Sequence, residues 1–137
     1  MSVEFIDTNV LVYAYDGGAG IKHEKSVELV KRLAESGTGA LSIQVLIEFC
    51  AIAMKKLLMT AAELEAILKD FDVWIIHRPS LEDLTLSARV QRRHQISWWD
   101  ALIVNSAMQL ESKVLWTEDL ASGHRFGATT VRNPYRD

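Results

Sequence analysis

The sequence has one cysteine, two prolines and no excess of positive charge. A lone thiol, Cys50, excludes an internal disulfide and suits a reducing compartment. It lies in an apolar run and reads as a buried thiol rather than a nucleophile. Pro79 and Pro134 merely punctuate the chain. No uncharged apolar run approaches the roughly 20 residues of a membrane span. Met1 to Asp7 lacks a basic segment followed by a long apolar stretch, so no signal peptide is expected and the cytoplasm is the expected location. There is no Gly-rich phosphate loop followed by Lys-Ser or Lys-Thr, which disfavours a nucleotide triphosphatase. His23, His77, His94 and His124 are scattered without ligand spacing and read as surface or loop residues, so zinc is not expected. With Lys+Arg 15 against Asp+Glu 18, the net charge is −3 and the pI near 5.8. That balance counts against broad electrostatic binding of nucleic acid, unless bound divalent cations neutralise several of the acids.

What is present is a globular composition, 49% hydrophobic and 24% charged over 137 residues, enough for one domain spanning 1–137 with a real core. Val3 to Ile6 reads as a short buried strand. Val10 to Tyr15 has the composition of a helical turn or two, closed by Asp16-Gly17-Gly18. Lys22 to Glu35 is a charged amphipathic helix ended by Gly37. Gly39 to Ser42 is extended, and Ile43 to Leu58 is a strongly apolar helix. Thr60 and Glu63 form a capping box for a helix to about Asp70. Phe71 to His77 reads as a buried strand. Ser80 with Asp83 opens a helix through about His94, and Ser97 with Asp100 opens another from Trp98 to Glu111. Lys113 to Trp116 and Ala128 to Val131 read as strands. Strands alternating with helices predict an α/β domain, a parallel sheet covered on both faces as α/β/α layers.

Four acids stand out against this pattern. Asp7 follows a buried strand at its carboxyl end, the edge where parallel sheets bind ligands. Helix capping is the other reading, but Thr8 and Asn9 can also cap, which makes Asp7 redundant for that task. Glu48 is the only charged residue between Ile43 and Met54, with Val45 and Ile52 a turn away. A charged, unpaired carboxylate there is costly, and either a cation, solvent exposure or a base such as Lys55 must relieve it. Asp100 opens the uncharged stretch Ala101 to Gln109, where capping alone explains its position; Asn105 on the same helix is a polar neighbour or a packing residue. Asp119 repeats the arrangement at Asp7, just past the strand Val114-Leu115-Trp116, with a turn role as alternative and Glu118 as a competitor. Oxygen donors without a Cys/His cluster suit Mg²⁺ or Mn²⁺.

At these residues the sequence resembles the PIN domain nucleases, particularly the VapC toxins of prokaryotic toxin–antitoxin pairs. Phe5-Ile6-Asp7-Thr8-Asn9-Val10-Leu11 is similar to the opening motif of that family. Ser42 through Glu48 is similar to the second motif, Trp99-Asp100-Ala101-Leu102-Ile103 to the third, and Leu115 to Leu120 to the fourth, with Asn133-Pro134-Tyr135 like a short closing segment. The resemblance implies a PIN-like three-layer fold with a central parallel sheet in 3-2-1-4-5 order, a homodimer, magnesium-dependent cleavage of RNA, and a cognate antitoxin that blocks the site.

On that reading Asp7 and Asp100 bind Mg²⁺ directly, while Glu48 and Asp119 hold its waters or a second ion. Thr8, Asn9 and Thr117 would orient the carboxylates. Arg89, Arg92 and Arg93 share a predicted helix and either hold phosphates or form a solvated face; Lys55 and Lys56 are equally ambiguous. Trp98 and Trp99 either stack on bases or pack in a core or dimer interface. A stand-alone nuclease and a non-catalytic RNA- or protein-binding module are the alternatives. A phosphatase is disfavoured because Asp7-Thr8-Asn9 lacks a second Asp two residues after the first.

Overall fold

The computed structural model describes residues 2–136. Its sheet has the order β3-β2-β1-β4-β6-β5, built from β1 (Glu4–Ile6), β2 (Gly39–Ser42), β3 (Ile75–His77), β4 (Val114–Trp116), β5 (Arg125–Phe126) and β6 (Thr129–Arg132). All neighbours pair in parallel except β5, which returns antiparallel onto β6. The five parallel strands thus keep the 3-2-1-4-5 order, with one hairpin strand added at the edge. β1 sits centrally, with Phe5 facing Ala40 on one side and Leu115 on the other. Phe5 and Ile6 are fully buried, as a strand covered on both faces requires.

Around the sheet lie α1 (Thr8–Tyr15), α2 (Ile21–Ser36), α3 (Ile43–Lys56), α4 (Ala61–Lys69), α5 (Leu81–His94) and α6 (Trp98–Gln109). None is long and apolar enough to cross a membrane. Their starts follow local chemistry. Thr60 and Ser80 each complete a capping box, with Glu63 and Asp83, while Ser42 and Ser97 cap α3 and α6 through single side-chain bonds. The end of α2 is set by Gly37 in the left-handed conformation.

Three elements differ from the sequence reading. The segment 70–73 is a 3-10 turn, and the strand is confined to Ile75–His77. Asp70 and Asp72 break the apolar run, and the turn brings Phe71 and Trp74, three residues apart, to the same side, both buried and in aromatic contact. The first helix begins at Thr8, directly after the strand, rather than at Val10. The β5 strand was not expected at all; it is two residues long and carries too little pattern to signal itself.

The β2 strand also contains a close approach. An added Cβ on Gly39 would lie 2.6 Å from Trp74 Cζ3 and 2.9 Å from Leu33 Cβ. Both neighbours are buried core residues, so neither side chain can swing away. Gly39→Ala is therefore expected to lower stability by about 1–3 kcal/mol, the usual cost of overpacking. An unchanged urea midpoint would show that Trp74 yields freely.

Candidate active site at the carboxyl edge of the sheet

β1 and β4 end side by side, and the chain leaves each of them into an acid-bearing segment. The Asp7 N–H donates to the Trp116 carbonyl at 3.0 Å, which ties the two strand ends together. Asp7 is the N-cap of α1: its Oδ1 accepts from the Thr8 N–H at 2.6 Å. Its Oδ2 accepts from the Thr117 hydroxyl at 2.7 Å. Capping by Asp7 is thus not redundant. Thr8 and Asn9 lie inside the helix, and their side chains turn to the other acids.

The Thr8 hydroxyl donates to Glu48 Oε1 at 2.7 Å, and Asn9 Nδ2 donates to Asp119 Oδ2 at 3.3 Å. Thr117 does double duty, since its Oγ1 also accepts the Asp119 N–H at 3.0 Å. Glu48 reaches the site from α3, where Thr8 rather than Lys55 is its partner. Asp100 reaches it from the first turn of α6, its N–H bonded to the Ser97 hydroxyl at 3.0 Å. Asp7, Glu48, Asp100 and Asp119 together line one cleft of about 340 Å³, with Thr8, Asn9, Gln44 and Trp99 among its other walls.

Glu118 is turned elsewhere. Its carboxylate pairs with Lys22 Nζ at 2.7 Å and accepts from the Tyr13 hydroxyl at 2.8 Å, under the closing segment where Tyr135 meets the Ser26 hydroxyl. Asn105 also lies away from the cleft: it is buried and donates to Asp83 Oδ1 at 3.1 Å, a helix-packing role. His77 is not a surface residue either. It is half-buried on β3, with Nδ1 2.7 Å from Ser106 Oγ and Nε2 3.4 Å from Asp83 Oδ2. Trp98 and Trp99 are both exposed, and Trp99 stands on the cleft.

The electrostatics are those of acids crowded without a counter-charge. No Lys or Arg is among the described residues that line the cleft. Burial, and after it the charge of Asp119, pushes the Asp7 carboxyl up to about 7, against the hydrogen bonds from Thr117 and Thr8. Asp100 is also raised, first by burial and then by Asp119 and Glu48 across the cleft. A divalent cation is the counter-charge such a set lacks, and the donors are all oxygen. Among the described residues no three His, Cys, Asp or Glu side chains are already drawn together as a cage.

Sequence reasoning missed one wall of this cleft. Gln44, one turn before Glu48 on α3, has its Nε2 buried and without a partner among the described residues. The four-residue spacing from Glu48 was the available signal, since residues so spaced share a helix face.

The PIN domain model matches residues 5–121, from the first strand to just past Asp119. The chain belongs to the PIN domain family. Comparison with curated proteins returns no match. Among solved structures, the PIN fold of this chain is similar to a toxin–antitoxin complex from Klebsiella pneumoniae, at 18% identity and a TM-score of 0.71 over 98% of this chain and 99% of that one. It is similar to Mycobacterium tuberculosis VapC20, described as a toxin cleaving the sarcin–ricin loop, at 19% identity and a TM-score of 0.68, covering 85% and 91% of the two chains. A third is VapBC2 from Rickettsia felis bound to a DNA fragment from its promoter, at 19% identity and a TM-score of 0.67, covering 96% and 98%. The PIN match takes in all four cleft acids and leaves the closing segment 133–135 outside it.

Proposed function

We propose that this PIN protein is a divalent-metal-dependent endoribonuclease and the toxin of a toxin–antitoxin pair. The observation that carries the reading is the convergence of Asp7, Glu48, Asp100 and Asp119 on one cleft lined by no basic residue among those described. Structures of the same fold described as a toxin and as toxin–antitoxin complexes support the biological half.

Asp7 and Asp100 would hold the ion, Mg²⁺ with Mn²⁺ as substitute, and Glu48 and Asp119 its waters. Such an ion, when bound, supplies Lewis-acid activation of water and offsets charge building on the phosphodiester. The chain's own residues do the positioning. Thr8 N–H and the Thr117 hydroxyl fix both oxygens of Asp7, the Thr8 hydroxyl orients Glu48, and Asn9 orients Asp119. Asp119, the exposed member of the set, would take the proton released in hydrolysis. The Gln44 amide, whose Nε2 has no partner among the described residues, would donate to a phosphate oxygen of the substrate. The protein works as a homodimer and is held in check by an antitoxin that covers the cleft.

The test is metal removal. An end-labelled RNA incubated with the protein should remain intact in chelator and be cut when Mg²⁺ or Mn²⁺ is restored in excess. Cleavage that is undiminished in chelator would sink the metal-dependent mechanism. Growth arrest on induced expression, relieved by co-expression of the product of a short adjacent reading frame, would test the toxin assignment.

A further inference from the structure

A second pocket, of about 400 Å³, opens between α5, α6 and the β5 edge strand, lined by Arg89, Arg93, His94, Gln109 and Arg125 among others. Among the described residues, its lining contains no Asp or Glu. In a chain of net charge −3, this is a concentration of one sign against the overall balance. Arg89 and Arg93 are spaced one turn apart on α5, an arrangement that costs stability through like-charge repulsion. Among the described residues, Arg89, Arg93 and Arg125 form no ion pair, whereas Lys22, Arg32 and Lys69 each hold a carboxylate.

The favourable field at a helix C-terminus accounts for Arg92, Arg93 and His94 in the last turn of α5. It does not account for Arg125, which arrives from β5 on a different element, or for Arg89, a full turn further back. His94 and His124 sit edge to face with centroids 5.6 Å apart, and both rings rest on Phe126, at 4.7 and 4.5 Å. That stack sets the β5 hairpin against α5, and Arg125 and Arg93 line the same pocket. The same crowding lowers the proton affinity of His94, first by burial and then through His124 and Arg93.

We propose that this pocket is an anion site for the phosphodiester backbone of the RNA substrate, separate from the acid cleft. Guanidinium groups recognise phosphate oxygens with two parallel donors, and three of them from two elements form a clamp that a single helix face cannot. Among the described residues, no exposed aromatic lines the pocket, so it reads backbone and not bases. Asp100 and Gln109 stand nine residues apart on α6, on opposite faces of that helix and separated by roughly 13 Å of axial rise. One phosphate cannot occupy both sites. The pocket therefore grips RNA away from the cut and supplies affinity that the acid cleft, negative until it holds a cation, does not. Naming RNA as the owner of the phosphate rests on the nuclease reading; the anion site itself does not.

The test is anisotropy of a fluorescein-labelled 20-nucleotide single-stranded RNA with the full chain in chelator, where no cutting occurs and the cleft is repulsive. Arg93→Glu/Arg125→Glu should weaken binding by 10-fold or more and flatten the dependence of log affinity on log salt by about 1 to 2. Lys55→Glu/Lys56→Glu changes net charge equally at the end of α3 and should bind as the wild type does. Melting curves establish that both variants fold. Wild-type affinity in the Arg93/Arg125 variant, or equal loss in the Lys55/Lys56 variant, overturns the proposal. Inorganic phosphate that raises the wild-type Tm, with RNA affinity unaltered by the Arg93/Arg125 change, would assign the pocket to free phosphate and likewise overturn it. A protein that loses RNA affinity in the Arg93/Arg125 variant but cuts no RNA with any metal leaves the pocket standing and removes the nuclease reading; the opposite pair of results does the reverse.

Discussion

Asp7→Asn is expected to lower RNA cleavage by on the order of 100- to 1,000-fold, the scale of losing one preorganised charged group from an active site. In the same variant the melting temperature measured in chelator should rise or stay level. The second half distinguishes a functional carboxylate from a structural one. Without a cation, Asp7 is buried beside Asp119, and its carboxyl is pushed from 3.8 up to about 7. The native state therefore binds this proton more tightly than the unfolded chain does, so its contribution to stability falls as pH rises between those two values. Above about 7 the penalty is complete. Asparagine carries no charge at any pH and removes that slope, while its amide oxygen still accepts one of the two hydrogen bonds from Thr8 and Thr117. Melts in chelator at pH 5.5 and 8 should show the variant gaining on the wild type at the higher pH. Full cleavage activity, or an equal loss of Tm at both values, would remove Asp7 from the proposed role.

Asp83→Ala carries the largest expected cost in stability, about 2–4 kcal/mol, the combined scale of a lost helix cap and a buried amide left unpaired. One carboxylate serves three elements. Its Oδ2 accepts from the Ser80 N–H at 2.8 Å and the Ser80 hydroxyl at 3.1 Å, closing the capping box of α5. Oδ1 accepts from Asn105 on α6 at 3.1 Å, and Oδ2 lies 3.4 Å from His77 Nε2 on β3. These donors, the Ser80 N–H first, hold its carboxyl below the ordinary carboxylate value of 3.8. The sign is opposite to that at Asp7. The stability Asp83 supplies is fully present above the unfolded value and is lost as pH falls through the lower folded one. The denaturation midpoints of variant and wild type should thus converge toward pH 3 and stand furthest apart near neutrality. Because Asp83 lies outside the acid cleft, cleavage at temperatures well below the melt should persist; a variant as stable as the wild type would show that Asn105 and Ser80 find other partners.

The two aspartates illustrate what could be read in advance. Asp83 was visible as the third residue after Ser80, a local spacing with a local cause, yet its bonds to Asn105 and His77 cross 22 and 6 positions of chain and have no signature in the sequence. Asp7 was singled out by its place after an apolar strand, but its role as the α1 cap was discounted because Thr8 and Asn9 are equally able to cap. The helix starts two residues earlier than its apolar pattern implies, and this frees Thr8 for Glu48 and Asn9 for Asp119. Phe71 to His77 misled for a related reason. An apolar run with β-branched residues looks the same whether it pairs as a strand or buries two rings three residues apart in a 3-10 turn.

The sequence alone determined the alternation of strands and helices, the caps of α4, α5 and α6, and four acids that stand after buried strands or on otherwise uncharged stretches of helix. These follow from spacings of two to four residues, over which backbone geometry dictates which side chains meet. The family resemblance supplied the strand order. Only the tertiary structure decided which acids share a cleft, that Glu118 turns to Lys22 and Tyr13 while Asp119 turns to Asn9, and that Arg125 joins Arg89 and Arg93. Each of these depends on contacts between distant parts of the chain, such as the Thr117 hydroxyl on Asp7 across 110 positions. Sheet pairing makes that contact by setting the ends of β1 and β4 side by side, and no local pattern encodes it.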